Sequence, residues 1–217
     1  MIKAVLFDMD GILYDSERFY MDITVRVMRS LGYTGPEETL YAVVGTTAEG
    51  TWKILYDLLD GEYPGRKIEQ TWIEYLLQNP LNYAEAMFPD IPETLKRLQD
   101  AGIRMACCSS NTPSVIRKSL KQMRIETYFS YVVSSEEIER AKPDPMIYLL
   151  AAEKLGAEPA ECAVYEDSAP GIESGKRAGM LVIARKDDRF LQKQDGADVI
   201  VTSAAQMADY ILKEVRQ

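Results

Sequence analysis

The reactive side chains of this sequence are concentrated in four short polar segments. Three of them follow an apolar run: Asp8-Met9-Asp10-Gly11, Ser109-Ser110-Asn111 and Glu166-Asp167-Ser168. The fourth contains Lys142, which stands directly before a proline. Together they offer four carboxylates, several hydroxyl groups and one amine. Carboxylates held close together raise each other's pKa unless a cation lies between them. If the fold gathers these segments, they predict a site for a cation and a negatively charged substrate.

The cation that such a site favours is Mg²⁺. This ion binds hard oxygen ligands, takes one or two carboxylates, keeps several waters and completes its shell with substrate phosphate. Lys142 and Ser109 would offset and orient the phosphoryl charge, since a compact ammonium is a good partner for it. The sequence thus predicts a magnesium and phosphate site, and the carboxylates available to the metal are Asp8, Asp10, Glu166 and Asp167.

Three of the four segments also have a purely structural explanation. Ser109 and Ser110 could cap a following helix, and Glu166 and Asp167 could form the acidic start of another. Lys142 alone is typical of a solvated surface. The occurrence of all four segments in this order, three of them after strand-like runs, favours the chemical interpretation.

The sequence has 217 residues and no histidine. This absence excludes Ser-His-Asp and Cys-His nucleophiles, phosphohistidine intermediates and histidine-ligated zinc or iron. The three cysteines, two of them adjacent, form neither a disulfide framework nor a metal-binding spacing. Any chemistry must therefore use carboxylates, hydroxyl groups and lysine.

The charge balance bears on the partners of the protein. The chain carries 34 acidic and 25 basic residues, a formal net charge of −9. A nucleic-acid or anionic-membrane partner would need a clustered basic surface, so neither is expected. The first apolar run reaches Asp8 too soon for a signal peptide or a membrane span. We therefore expect a cytoplasmic protein, a monomer or weak dimer, that acts on a small molecule.

Short apolar runs alternate with helical segments over much of the chain. This alternation predicts a doubly wound, Rossmann-like α/β sheet of parallel strands. Several predicted helices run into a glycine, at Gly102, Gly156 and Gly179, where a left-handed residue is expected. Parallel strands share one carboxyl edge, at which ligands bind, so the polar segments would meet there. The predicted strands are Ile2–Phe7, Arg104–Ser109, Tyr131–Ser134, Cys162–Glu166, Leu181–Ala184 and Asp198–Val201.

Residues 16–84 interrupt the alternation. This stretch shows no strand pattern and contains three predicted helices, Glu17–Leu31, Thr47–Leu59 and Lys67–Leu77. We interpret residues 16–84 as an inserted helical cap domain. Residues 1–15 and 85–217 then form the α/β catalytic core domain.

The four segments, in this order, resemble the motifs of the haloacid dehalogenase (HAD) superfamily, in the subgroup with a helical cap after the first strand. The segment from Glu166 to Ile172 is similar to the form found in sugar-phosphate phosphatases and β-phosphoglucomutase. The resemblance covers essentially the whole chain, with weak detail in the cap. It implies a HAD core and a Mg²⁺-dependent phosphatase that hydrolyses a small phosphorylated metabolite.

The resemblance also implies a role for each motif residue. Asp8 would attack phosphorus and form an aspartyl phosphate, and Asp10 would protonate the leaving oxygen and later accept a proton from water. Mg²⁺ would be held by Asp8, the Asp10 carbonyl and Asp167, with Glu166 bound directly or through water. The phosphate would be bound by Ser109, Ser110 and Lys142.

Two departures from β-phosphoglucomutase favour hydrolysis over a mutase reaction. Tyr20 stands where the mutase has a cap histidine, and Ala48 where it has an arginine for the second phosphate. A hexose-phosphate mutase remains the first alternative, and a non-catalytic binding member of the fold the second. Ala141 also replaces the glycine that commonly precedes the motif lysine, which leaves the amine in place.

The remainder of the substrate is expected to meet residues of the cap and its entry. Tyr20 and Trp52 could equally be core aromatics of an apolar helix face. The small cap favours a sugar phosphate, ahead of nucleotide and glycolate phosphates. The predicted contacts are Tyr14, Arg18, Tyr20, Thr46, Thr47 and Trp52.

Overall fold

The structure is a computed structural model that describes residues 1–44, 46, 48–59, 65–189 and 194–215. The chain folds into two compact units. The first unit consists mainly of Met1–Asp15, Tyr83–Asp188 and 194–215, and the second mainly of Ser16–Asn82. The predicted cap domain ends at Ala84, whereas the second unit ends its main segment at Asn82.

The first unit is built on a six-stranded sheet with the order β3-β2-β1-β4-β5-β6. All neighbouring strands are parallel, which confirms the predicted Rossmann-like fold. The register places Phe7, the last residue of the first strand, beside Cys107 and Tyr165, so the three central strands end within two residues of the same level. The strands are β1 (Ala4–Phe7), β2 (Arg104–Ser109), β3 (Tyr131–Ser134), β4 (Cys162–Glu166), β5 (Leu181–Arg185) and β6 (Val199–Val201).

The second unit is helical and contains no strand among its described residues. Its core is formed by buried side chains such as Met28, Leu40, Leu55 and Ile68. A 3₁₀ helix at Glu37–Val43, which the sequence patterns did not predict, lies between the first two helices. The helices are α1 (Ser16–Ser30), α2 (Ala48–Asp57) and α3 (Gly65–Gln78).

Helices of the first unit pack on the sheet, and β1 shows how its two faces are filled. Ala4 and Leu6 pack with Ile147 and Tyr148 on one face, whereas the ring of Phe7 meets Phe129 on the other. The glycines that follow the predicted helices have positive φ, as expected. None of the described helices combines the length and the apolar character needed to cross a membrane. The helices of this unit are α4 (Tyr83–Ala86), α5 (Ile91–Asp100), α6 (Pro113–Met123), α7 (Met146–Leu155), α8 (Ala169–Arg177) and α9 (Ala204–Val215).

Candidate active site

The polar segments meet at the carboxyl edge of the sheet because β1, β2 and β4 end side by side. Asp8 follows β1, Ser109 ends β2 and Glu166 ends β4. The backbone N–H of Asp8 donates to the carbonyl of Tyr165 at 3.0 Å, which continues the sheet pairing into the site. The loop before α7 then brings Lys142 to the same edge.

Lys142 joins two of the carboxylates. Its Nζ donates to Asp8 Oδ1 at 2.5 Å and to Glu166 Oε1 at 2.8 Å, and its side chain is only 7% exposed. The ammonium also lies 4.9 Å from the centre of the Tyr148 ring. Burial alone would lower the pKa of Lys142, but the charges of Asp8 and Glu166 hold it well above its ordinary value. The amine is therefore a fixed positive charge.

Glu166 is fully buried and both of its oxygens accept hydrogen bonds. Oε1 accepts from Lys142 and from the Tyr148 hydroxyl at 3.0 Å. Oε2 accepts from the backbone N–H groups of Asp167 and Ser168, at 2.8 and 2.9 Å, and from the Ser168 hydroxyl. Although burial would raise it, these partners keep the pKa of Glu166 below its ordinary value. Glu166 thus serves as the buried counterion of Lys142.

The carboxylate of Asp10 has a different set of partners. The Tyr14 hydroxyl donates to Oδ1 at 2.7 Å, and the Asn111 amide donates to Oδ2 at 2.6 Å. Asn111 also donates to Ser109 Oγ, from both its backbone and its side chain. Burial raises the pKa of Asp10, although the hydrogen bonds from Tyr14 and Asn111 act against this rise. The two aspartates of the first segment therefore occupy distinct environments.

Three buried carboxylates, those of Asp8, Glu166 and Asp167, bring ligand oxygens within 4.8 Å of one another. Lys142 offsets only part of this negative charge. Burial raises the pKa of Asp8 to about 7; Lys142 opposes this rise, and the charges of Glu166 and Asp10 add to it. Hard oxygen donors with excess negative charge fit a divalent cation such as Mg²⁺. The Asp10 side chain lies outside this group.

The helix-capping explanation is wrong for Ser109 and Ser110, whereas Glu166 and Asp167 do stand directly before the N-cap of α8. The N-cap of α6 is Thr112, whose side chain accepts from the backbone N–H of Val115. The N-cap of α8 is Ser168, which accepts from the N–H of Gly171. Ser109 is buried at the site, whereas Ser110 is exposed and uses its carbonyl to accept a hydrogen bond from Ser135.

The predicted substrate contacts are distributed over both units. Within the second unit, Tyr20, Thr46 and Trp52 line a cavity of about 450 Å³ that Trp72 also lines. Arg18 is exposed on α1. Thr47 lies outside the described residues. Tyr14 belongs to the first unit and donates its hydroxyl hydrogen bond to Asp10.

Sequence patterns gave no role to Asn111 or Tyr148, although both contact site carboxylates. Asn111 follows a predicted strand end, which was the available signal for a residue at the site. Tyr148 lies in an apolar helix. A buried tyrosine hydroxyl usually has a polar partner, so the sequence indicated a polar contact there but not which residue would make it.

A parallel sheet whose carboxyl edge carries acidic side chains and a buried lysine, with a helical unit inserted after β1, is an α/β fold with a charged candidate site. The profile of the haloacid dehalogenase-like hydrolase family matches residues 5–185. The chain belongs to this family, as the motifs predict.

Two related proteins narrow the class of hydrolase to which the chain belongs. A phosphorylated carbohydrates phosphatase of Thermotoga maritima is 30% identical over 187 residues, which are 82% of this chain and 82% of that protein. Hexitol phosphatase B of Escherichia coli is 28% identical over 216 residues, 95% of this chain and 94% of its own. With the family, they identify the enzyme as a phosphoric monoester hydrolase, the class predicted from the sequence.

Solved structures support the fold. A HAD family hydrolase of Deinococcus radiodurans with bound phosphate and sodium has a TM-score of 0.83 at 22% identity. The match covers 98% of this chain and 96% of the other chain. A structure described as a candidate β-phosphoglucomutase from Thermotoga maritima has a TM-score of 0.78 at 27% identity. The match covers 99% of this chain and 100% of the other chain.

Proposed function

We propose that the protein is a Mg²⁺-dependent phosphatase that hydrolyses a small phosphorylated metabolite, with a sugar phosphate as the first choice, through an aspartyl phosphate on Asp8. The observation that carries this proposal is the pairing of Asp8 with Lys142 at the sheet edge, while Asp10 is held separately by Tyr14 and Asn111. One carboxylate is thus available as a nucleophile and the other as an acid and base.

In the first step, Asp8 attacks phosphorus and the bond to the leaving oxygen breaks. Asp10 gives its proton to that oxygen, so the alcohol departs neutral. In the second step, water attacks the phosphoaspartate, Asp10 takes the water proton and the bond between Asp8 and phosphorus breaks. The products are the alcohol and inorganic phosphate, and both aspartates return to their starting states.

The charged groups around Asp8 support this sequence of steps. Lys142 is positioned to offset charge on the phosphoryl oxygens, because Glu166 fixes it beside Asp8. Ser109 and the neighbouring Ser110 are the proposed hydroxyl partners of the phosphate. The residues proposed to hold Mg²⁺ are Asp8, Asp167 and the Asp10 carbonyl, with Glu166 acting through water because its oxygens accept hydrogen bonds from the chain. When bound, the cation would neutralise negative charge that develops during phosphoryl transfer.

The names of the relatives support the substrate class. The Thermotoga maritima protein is named a phosphorylated carbohydrates phosphatase and the Escherichia coli protein a hexitol phosphatase. We propose a substrate of this kind for the present enzyme, and a cytoplasmic monomer or weak dimer without nucleic-acid or membrane partners.

Phosphate release from a panel of phosphorylated metabolites, measured with Mg²⁺ and with EDTA, tests the proposal. We expect activity that requires Mg²⁺ and is lost in Asp8→Asn. The matched control is Asp100→Asn, at an exposed carboxylate of α5 that pairs with Lys96 on the surface. Metal-independent release, or an Asp8→Asn variant as active as the parent, would overturn the mechanism.

Product analysis separates the alternatives. Phosphorus NMR of the reaction mixture distinguishes free phosphate from an isomeric sugar phosphate. The absence of the mutase histidine and arginine, replaced here by Tyr20 and Ala48, favours free phosphate. An isomeric phosphate as the main product would establish the mutase alternative, and a panel without turnover would favour the binding alternative.

A further inference from the structure

We propose that Tyr14 is the positioning residue of the acid and base Asp10, and that its hydroxyl makes departure of poor leaving groups efficient. This inference rests on the proposed function, because it assigns to Asp10 the proton transfers described above. Nothing in the motif itself requires a tyrosine at this place, which lies four residues beyond Asp10 at the start of the connection to the second unit.

The contact between the two side chains is short and enclosed. The Tyr14 hydroxyl donates to Asp10 Oδ1 at 2.7 Å, and Tyr14 is only 1% exposed. Asn111 donates to the other oxygen of the same carboxylate at 2.6 Å. A carboxylate held at both oxygens from two directions has little freedom to rotate. Tyr14 and Asn111 therefore define the plane in which Asp10 exchanges its proton.

The tyrosine ring is itself held in place. It forms a T-shaped pair with the Tyr83 ring, with centroids 5.1 Å apart and planes at 80°. The backbone of Tyr14 bridges to Asp10 on one side and to Met87 on the other. Hydrogen bonds from Asp15 to Ala86 and from Phe88 to Leu13 flank the second bridge. The donor to Asp10 is consequently fixed by the two chain segments that connect the units.

Such positioning matters most when the leaving group is a strong base. An alkoxide needs the proton from Asp10 as the bond to phosphorus breaks, whereas p-nitrophenolate departs without much help. If Asp10 loses its orientation, hydrolysis of phosphate esters of basic alcohols should therefore slow more than hydrolysis of phosphate esters of acidic phenols. A purely structural role of Tyr14 would affect both kinds of ester alike.

The experiment compares Tyr14→Phe with the parent, measuring kcat/KM in Mg²⁺ for a series of substituted phenyl phosphates and for the sugar phosphate that the panel identifies. We expect kcat/KM to fall by about 10-fold or more for the sugar phosphate and by less than about 3-fold for p-nitrophenyl phosphate. The dependence on leaving-group pKa should become steeper across the phenyl series.

The matched control is Tyr165→Phe, which removes another buried hydroxyl of the first unit. The Tyr165 hydroxyl has no hydrogen-bond partner among the described residues, so this change should leave the slope unchanged. Tyr83→Leu provides a second variant, because it removes the ring that supports Tyr14 while the hydroxyl stays, and it should shift the slope in the same direction. Thermal unfolding and circular dichroism establish that each variant is folded.

An equal loss across all esters, or no loss in Tyr14→Phe, would overturn the inference. Failure of the proposed function has a different signature, since Asp8→Asn would then retain activity whatever the behaviour of Tyr14. A steeper slope in Tyr165→Phe as well would also overturn it, because the effect would then not depend on contact with Asp10.

Discussion

The site carboxylates differ because their hydrogen-bond donors differ. Glu166 accepts from five donors and stays ionised next to Lys142. Asp8 has the same lysine but also the repulsion of Glu166 and Asp10, and burial lifts its pKa to about 7. Asp10 accepts from a phenol and an amide, which carry no formal charge. Local partners thus distinguish the buried counterion Glu166 from the proposed nucleophile Asp8 and the proposed proton carrier Asp10.

Asp8→Asn should stabilise the metal-free protein at neutral pH while it abolishes turnover. The pKa of Asp8 is raised in the folded state, so its contribution to stability is present below about pH 4 and is lost as the pH rises through about 7. In EDTA, the free energy of unfolding of the parent should fall between pH 5 and pH 7.5 by about 1–3 kcal/mol more than that of Asp8→Asn. Urea unfolding at the two pH values measures this difference.

The control for that comparison is the exposed variant Asp100→Asn, which should keep the pH dependence of the parent. The opposite ordering, with Asp8→Asn losing more stability than the parent as the pH rises, would mean that Lys142 stabilises the ionised carboxylate more than burial destabilises it.

Tyr148→Phe should destabilise the protein by about 1.5–3 kcal/mol, the range for a hydrogen bond to a charged group. The change removes the donor to Glu166 Oε1 and keeps the ring beneath Lys142. Tyr165→Phe is the matched control: its buried hydroxyl has no hydrogen-bond partner among the described residues, so its loss should be close to neutral. Urea unfolding measures both variants, and equal effects would contradict the assignment.

At the level of elements, the sequence patterns predicted the six strands to within two residues at their ends. This was possible because short buried strands of a parallel sheet are almost continuously apolar, and because parallel strands align their carboxyl ends. Partners of the site residues could not be predicted in the same way. The contacts of Tyr14 with Asp10 and of Tyr148 with Glu166 depend on side-chain rotamers and on how α7 packs, which leave no periodic signal.

The start of α8 contains another contact that leaves no periodic signal in the sequence. The Glu166 carboxylate lies against the first turn of α8 and accepts from the N–H groups of Asp167 and Ser168, which directly precede the helix. A Cβ at Gly171 would overlap the Glu166 carboxylate, which lies against the glycine backbone. The glycine therefore allows the helix to hold the counterion of Lys142 at close range.

Gly171→Ala should displace Glu166 and release Lys142. We expect a loss of at least about 2 kcal/mol in the free energy of unfolding and a fall in kcat of about 10-fold or more, since a buried ion pair is disturbed. Glu173→Ala, at an exposed position of the same helix, is the control and should change stability by less than about 0.5 kcal/mol. Urea unfolding and phosphate release measure both effects. Parent-like behaviour of Gly171→Ala would show that Glu166 does not need this position.

At the level of the whole molecule, the chemistry and the optical probes belong to different units. The acidic cluster of Asp8, Glu166 and Asp167 lies in the first unit. Both tryptophans of the chain, Trp52 and Trp72, lie in the second unit, where their rings meet edge to face. Each unit has its own buried core. A cation bound at this cluster and the tryptophan emission would therefore report on separate parts of the protein.

Mg²⁺ should raise the thermal midpoint of the first unit more than that of the second. A ligand that binds only the folded state adds about 2.7 kcal/mol at a hundredfold excess over its Kd, and this free energy belongs to the unit that holds the site. Far-UV circular dichroism should thus show a transition that moves upward with Mg²⁺, while the tryptophan fluorescence midpoint moves less. Asp167→Asn should remove the shift because it removes a proposed ligand. Equal shifts by both probes would contradict the expectation and show that the two units unfold as one.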